Sequence, residues 1–321
     1  MQKQDYLKLR GELNLKPHRG ALLRYFLTDT VLVCSVFALE FSAVPGVRYL
    51  SIPVIATLMF RNFSIMHEAV HGIASKNKLV NDFCGLISGA LSLLPFDAWR
   101  RSHLEHHYWA GNVDKDPVMA LVKVLPAMPE KTRQRLNLGW KYWIPLMAVM
   151  QHWVFWNLSA KQFLQNPKRP FLLASLALPV LFWSAVFSLL PMSFTMPIVV
   201  PALVLYLISV EVVNFPHHLR LPQHHNDERL HIWEQHEIAR SCIYPRWLSR
   251  LVVLNFNYHA EHHMFPDAPW YHLDKIHDRL QTLIGDELNT DEKMAFIVNN
   301  RKKPLEDLMA PGQARPAKKA S

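Results

Sequence analysis

Residues 257–263 read Asn257-Tyr258-His259-Ala260-Glu261-His262-His263, which sets His259, His262 and His263 at i, i+3 and i+4. On a helix these offsets share one face. Three imidazoles on one face repel when protonated and gain little from one another when neutral, so a bound metal ion is the economical reason for the pattern. The same spacing returns as His103-Leu104-Glu105-His106-His107, and a shorter relative as His67-Glu68-Ala69-Val70-His71.

The chain of 321 residues is 50% hydrophobic, and its mean hydropathy near zero averages long apolar runs with strongly charged segments. That alternation is the texture of a membrane protein. The net charge of +9 comes without a basic stripe interleaved with aromatics. Anionic lipid and a positive-inside topology therefore account for it better than nucleic acid does. Cys34, Cys84 and Cys242 stand apart, with no CxxC spacing, and suggest neither a disulfide framework nor a thiolate metal site.

Residues 1–20 carry Lys3, Lys8, Arg10, Lys16 and Arg19 and read as a cytoplasmic amphiphilic lead-in, without a cleavable signal peptide. Apolar runs at about 21–44, 49–66, 171–190 and 196–213 are long enough to span; the first would cover roughly 36 Å at 1.5 Å per residue. Arg61, in the last third of the second, is expected to snorkel. The run Phe83–Phe96 is short for a span and reads as re-entrant or interfacial. Tyr142–Leu158 holds Gln151, His152 and Asn157 beside Trp140, Trp143, Trp153 and Trp156, an interfacial signature. Parity supports both demotions, because histidine runs that share a site must lie on one face of the membrane. Four spans place both termini and nearly all of the 35 Lys and Arg on the cytoplasmic side, with only Arg48 in an external loop. The expected fold is thus all-α: four transmembrane helices, interfacial or re-entrant helices, and a cytoplasmic helical cap. It forms one domain over 1–310, followed by a disordered tail over 311–321.

The run His67 to His71 also spells His-Glu-x-x-His, the motif of zinc proteases, in which the Glu is a general base. A mononuclear zinc site would leave the two other clusters without a purpose. Taken together, HEAVH, HLEHH and HAEHH resemble the histidine boxes of the membrane-bound fatty acid desaturase and hydroxylase superfamily, over most of the chain. The resemblance implies two non-haem iron ions held by His67, His71, His103, His106, His107, His259, His262 and His263. It also implies O2 activation, with electrons from a redox partner, and oxidation of an acyl chain. Relatives use an Asn-x-x-x-His element after the last span, which Asn214-Phe215-Pro216-His217-His218 matches, making Asn214 and His218 candidates. The i, i+4 geometry favours His218 over the adjacent His217.

Glu68, Glu105 and Glu261 are candidates to orient the ligating rings, although i+2 from the first His of a box points away from the metal face. Glu211 lies inside the last span, where a carboxylate is costly without a partner. His152, His224, His225, His231, His236, His272 and His277 read as interfacial, capping or surface residues. The most specific expectation is fatty acid desaturation. Hydroxylation, carotenoid ketolation or alkene-forming decarboxylation can use the same boxes, and a membrane zinc protease is the reading from a different class. With no cytochrome b5 segment and no Gly-rich dinucleotide fingerprint in the sequence, the electrons are expected from a separate ferredoxin or cytochrome b5 type carrier with its reductase.

Overall fold

The computed structural model describes residues 1–312 apart from 14, 19, 226, 293 and 294. Its helices in chain order are α1 (Lys3–Glu12), α2 (Ala21–Glu40), α3 (Ser51–Val70), α4 (Lys78–Leu91) and α5 (Phe96–Trp109). There follow α6 (Ala120–Ala127), α7 (Glu130–Lys141), α8 (Leu146–Gln165), α9 (Pro170–Leu189) and α10 (Met192–Phe194). The last are α11 (Val200–Asn214), α12 (His259–Met264), α13 (Trp270–Ile284), α14 (Ala295–Asn300) and α15 (Leu305–Met309). The only paired strands among the described residues are β1 (Ser241–Ile243) and β2 (Thr290–Glu292), parallel with Ser241 opposite Thr290. The architecture is therefore all-α in substance.

Among the described residues, four segments are long and apolar enough to cross a membrane: Ala21–Glu40, Val47–Val70, Pro170–Leu189 and Met192–His217. These are the four spans expected from the sequence, with one difference. The second helix does not stop before the first histidine run but carries His67 in its last turn. The run Phe83–Phe96 does not form a single rod either. It divides between α4 and α5, which meet at 106°. Leu93 in the turn adopts φ 61, and a Cβ on Gly85 would come within 2.1 Å of the Phe96 ring. Glycine there lets α4 lie close against the start of α5. The bend brings the first two histidine runs together, with His71 Nε2 and His103 Nε2 2.9 Å apart.

α3 packs against α2, α4 and α11 and is buried almost continuously from Met59 to Val70. That fits an apolar helix with no solvated stripe. Phe60, Phe63 and Met66 join Phe96, Tyr206 and Phe256 in the core of the spans. Arg61 does not snorkel as expected: its side chain is 3% exposed and donates to Asp29 Oδ1 at 2.8 Å and to the Leu251 carbonyl at 2.6 Å. Asn62 donates to the other Asp29 oxygen at 3.2 Å. Reaching the surface would have left Asp29 unpaired, and a buried charge is tolerated when it is paired and hydrogen-bonded. On the opposite face Arg48 pairs with Glu40 at 2.9 Å and donates to the Ser193 carbonyl, tying the two hairpin loops together.

A cap covers the histidine-bearing face. The N-terminal lead-in is part of it: Tyr6 and Leu9 of α1 are buried with Phe265, Ile276 and Leu280, and the Tyr6 hydroxyl donates to the Met264 carbonyl at 3.0 Å. The C-terminal end is also packed further than expected. Gly312 donates its N–H to the Leu221 carbonyl at 3.0 Å, so the domain continues to 312, and the remaining expected tail falls outside the described residues.

Candidate metal centre

Each histidine run is delivered to the centre by a different device. His67 and His71 ride the end of α3, while His103, His106 and His107 lie on α5 after the 106° bend. The third run forms a helix of six residues, α12, too short to stand without tertiary support. That support is β1. Cys242 N–H donates to the Asn257 carbonyl at 2.9 Å, Asn257 Nδ2 returns to the Cys242 carbonyl at 2.7 Å, and Ser241 Oγ accepts from Ala260 N–H at 3.0 Å. Asn257, the first residue of the deciding stretch, is thus its anchor.

The nine histidines sort into two groups. His67, His71, His103, His107 and His262 form one, and His106, His218, His259 and His263 the other; within each, one ring nitrogen per residue lies within 4.8 Å of all the rest. In the first group the Nε2 atoms of His71 and His103 are 2.9 Å apart, those of His103 and His107 3.1 Å, and those of His107 and His262 3.0 Å. In the second they close a ring: His106 to His218 3.1 Å, His218 to His259 2.9 Å, His259 to His263 3.1 Å, and His263 to His106 3.2 Å. The two groups touch where His107 and His263 stack at 4.3 Å.

The opposite nitrogens decide what these contacts mean. His106 Nδ1 lies 2.8 Å from Asp116 Oδ1, His218 Nδ1 2.9 Å from the Ile238 carbonyl, and His263 Nδ1 2.9 Å from Gln235 Oε1. All three partners accept, so each Nδ1 carries the proton and each Nε2 presents a lone pair. Lone pairs facing at 2.9–3.2 Å repel unless a cation lies among them. The second group therefore fits a metal ion, and the first, with five ring nitrogens within 4.8 Å of one another, offers the same imidazole-rich coordination, which suits iron.

Burial holds the rings neutral. It pulls the His71 and His218 imidazoles down to about 3, and burial reinforced by neighbouring imidazoles lowers those of His259, His262 and His263 well below the usual range. In the unfolded chain an imidazole titrates near 6.5. As pH falls through that value the unfolded chain takes up protons that the folded site refuses, so folding and metal binding are favoured above it and weaken below it. Purified protein dialysed at stepped pH should lose its metal below about pH 6. Because the folded rings resist protonation down to about 3, the loss should be progressive over that interval, and full retention below pH 3, measured by elemental analysis, would contradict a centre built from imidazoles.

His218, not His217, offers a nitrogen to the second group. His217 is fully buried and stacks on His259 at 4.1 Å with a 10° interplanar angle. Asn214 ends α11 and lines the cavity beside His106, His218 and His259. The three carboxylates inside the histidine runs do not orient ligating rings as expected, and Glu211 finds the partner its burial requires. Glu105 is exposed, because i+2 from His103 puts it on the far side of α5. Glu68 accepts from the Trp270 N–H at 3.2 Å and so holds the start of α13. Glu261, fully buried, pairs with Ser241 Oγ and with His277 Nδ1, fixing α12 as a body. Glu211 pairs with Arg301 at 3.3 Å, away from both groups.

The orienting role falls to Asp116, Gln235 and the Ile238 carbonyl, which sequence reasoning missed. Asp116 lies outside the histidine runs; its position before Pro117, where it caps a short turn by accepting from Val118 N–H at 2.8 Å, is the one available hint. None of His152, His224, His225, His231, His236, His272 and His277 joins either group. His152 and His236 are buried. His152 bonds the Ala148 and Ser92 carbonyls, which tie α8 to the turn after α4.

A cavity of about 400 Å³ opens onto the centre. Its walls include His103 from the first group and His106, His218 and His259 from the second, and among the described residues no Lys, Arg, Asp or Glu side chain lines it. Val118, Val124, Val154 and Leu158 both line it and are exposed, so its rim is apolar.

Comparison with known proteins points the same way. A family model described as Fatty acid desaturase matches residues 45–290. An omega-3 fatty acid desaturase of the endoplasmic reticulum from Vigna radiata var. radiata is 28% identical over 293 residues, 84% of this chain and 74% of that protein. The sn-1 acyl-lipid omega-3 desaturase (ferredoxin) of Synechocystis sp. is 24% identical over 290 residues, 82% of this chain and 76% of that one. For the chloroplastic omega-6 fatty acid desaturase of Glycine max the figures are 25% over 236 residues, 71% of this chain and 54% of the relative, so the chain spans about half the length of such relatives.

Proposed function

The chain belongs to the fatty acid desaturase family, and from that premise we propose that it is an integral membrane oxidoreductase that inserts a double bond into the acyl chain of a membrane lipid. The single observation that carries the reading is the apolar cavity, which ends on imidazoles of both groups. It is a slot for a hydrocarbon delivered to a metal pair.

His67, His71, His103, His107 and His262 would hold one iron ion, and His106, His218, His259 and His263, with Asn214 beside them, the other. The iron pair would supply, when bound, the reduction of O2 to two waters, with two electrons from a carrier, two protons from solvent, and two hydrogen atoms with their electrons from adjacent carbons of the acyl chain. The protein's own residues bind, orient and shield. Asp116, Gln235 and the Ile238 carbonyl hold three ligands in the Nδ1–H tautomer. Trp99 stacks on His103 at 4.7 Å, and Phe256 packs edge-on to His67 at 4.9 Å. These rings keep water from the chain and fix its lateral position.

The uncharged lining bears on the form of the substrate, since placing a carboxylate or phosphate among apolar walls costs several kcal/mol, on the order of 2–7 even for a neutral polar group. An ester-linked chain whose head group stays outside avoids that cost. The apolar rim beside the Trp-flanked α8 suits entry from the bilayer. Positive charge concentrated on the histidine-bearing face supports placing that face and both termini in the cytoplasm. Two electrons would then come from a separate acidic carrier, such as the ferredoxin for which the Synechocystis relative is named or the cytochrome b5 for which an acyl-lipid omega-3 desaturase of Arabidopsis thaliana is named.

Expression in a host with saturated phospholipids should yield new double bonds in its esterified acyl chains, read by mass spectrometry, and the purified protein should carry near two iron per chain. One zinc and no iron, or a new hydroxyl, ketone or terminal alkene in place of the double bond, would overturn the reading.

A further inference from the structure

Residues 295–312 lie beyond the stretch that the family model matches, 45–290. They nevertheless help to build the acyl cavity: Met309 lines it, and Leu305, Leu308 and Met309 are buried with Leu125 of α6, Met147 of α8 and Val212 of α11. The segment therefore contacts the elements that form the cavity walls.

Its attachment is more specific than apolar packing requires. Arg301 is 4% exposed and lies between the Trp140 and Trp143 rings, 3.8 and 4.2 Å from their centroids. It donates to the Trp140 carbonyl at 2.9 Å and to Glu211 Oε1 at 3.3 Å. Trp143 adopts φ 61, a left-handed conformation that a bulky side chain avoids unless its surroundings impose it. Trp140 Nε1 donates to the Asn300 carbonyl at 3.1 Å, and Asn137 Oδ1 accepts from Leu305 N–H at 2.8 Å. At the far end Gln223 Nε2 donates to the Met309 carbonyl at 3.2 Å, and a Cβ on Gly312 would come within 2.1 Å of the Arg220 carbonyl oxygen.

A buried cation costs free energy unless it is fully partnered, so a wall made only to exclude water would not contain one. What the pair adds is register: Arg301 can meet Glu211 and both rings in one placement of the segment, and that placement fixes where Met309 enters the cavity. We propose that residues 300–312 are a latched wall of the acyl cavity, and that Met309 is a specificity-determining residue that decides which chain lengths fit. The inference rests on the reading that the cavity takes an acyl chain. Methionine suits the role, being unbranched and able to fill an irregular gap in a wall beside a flexible hydrocarbon.

The test compares wild type with Met309→Trp, Met309→Ala and Met309→Leu in a host whose membranes carry acyl chains of several lengths. Lipids retained by the purified proteins and double bonds formed in the host are both sorted by chain length, and iron content reports folding. Met309→Trp should shift the ratio of long to short chains down by about tenfold, the discrimination that one methylene earns in an apolar pocket. Met309→Ala should shift it upward, with Met309→Leu near wild type and iron unchanged in all. If wild type retains acyl lipid and both the Trp and Ala variants keep its length ratio within about twofold, the wall has no such role. If Met309→Trp loses iron, the Ala variant decides by the same criterion. Wild type that retains acyl lipid but forms no double bond would end the proposed reaction, leaving the retained chain lengths to judge the wall. Retention of no acyl lipid at all would overturn both.

Discussion

His262→Ala is expected to abolish desaturation entirely and to lower the iron content from near two per chain towards one. His262 is 2% exposed, and its Nε2 lies 3.0 Å from that of His107 within the five-imidazole group. Alanine removes a ligand and leaves a void that the rigid ends of α3 and α5 cannot close. The ring of four, His106, His218, His259 and His263, loses no member, so one ion should remain. A reaction that needs both ions then fails although the protein stays folded and half loaded.

The same variant separates the proposal from a zinc protease centred on His67 and His71. That reading assigns His262 no duty and needs Glu68 poised as a base, whereas Glu68 is committed to the Trp270 N–H. Iron counted by elemental analysis, beside acyl-chain analysis of the host, checks the prediction. Full activity in His262→Ala would sink the two-ion arrangement.

What the sequence made legible was local in character or arithmetical. Histidines at i, i+3 and i+4 announce a ligating face because helical periodicity acts over a few residues, and span parity requires the boxes to meet. Both inferences hold in the geometry of α3, α5 and α12. The groups that tune the site were not legible, because their partners are remote in the chain. Gln235 meets His263 across 28 residues and donates to the His107 carbonyl across 128. Arg301 meets Glu211 across 90. Glu211 was recognisable as a carboxylate in need of a partner, but no spacing rule points to Arg301. The carboxylates inside the boxes drew attention by proximity in sequence, yet a helix that turns histidines inward turns the residue at i+2 elsewhere, as Glu105 demonstrates. How the nine histidines divide, five and four, also depends on cap loops whose course only tertiary packing sets. Neighbours such as His106 and His107 fall into different groups, and His217 is passed over for His218.

Asp116→Ala should weaken metal binding by about 10–100-fold, the usual consequence of removing a group that orients a ligating imidazole. The Asp116 side chain is 0% exposed, and both its oxygens lie 2.8–2.9 Å from His106 Nδ1. Without it the His106 N–H is buried with no acceptor, a penalty of about 1–3 kcal/mol. The ring can avoid that penalty by moving its proton to Nε2, which removes the lone pair the metal requires. Asp116 also accepts from the Gly111 and Val118 N–H groups, so alanine loosens the turn after α5 as well, and a second variant, Asp116→Asn, is needed to isolate the tautomer effect. The asparagine side chain retains one oxygen and nearly the same volume, but it faces one of these N–H groups with a donor of its own. Asp116→Asn should therefore fall between wild type and alanine in iron affinity, measured by chelator competition, with the second group's ion the one released. Equal affinities in all three proteins would mean that His106 is oriented by packing alone and that its hydrogen bond to Asp116 does not set the tautomer.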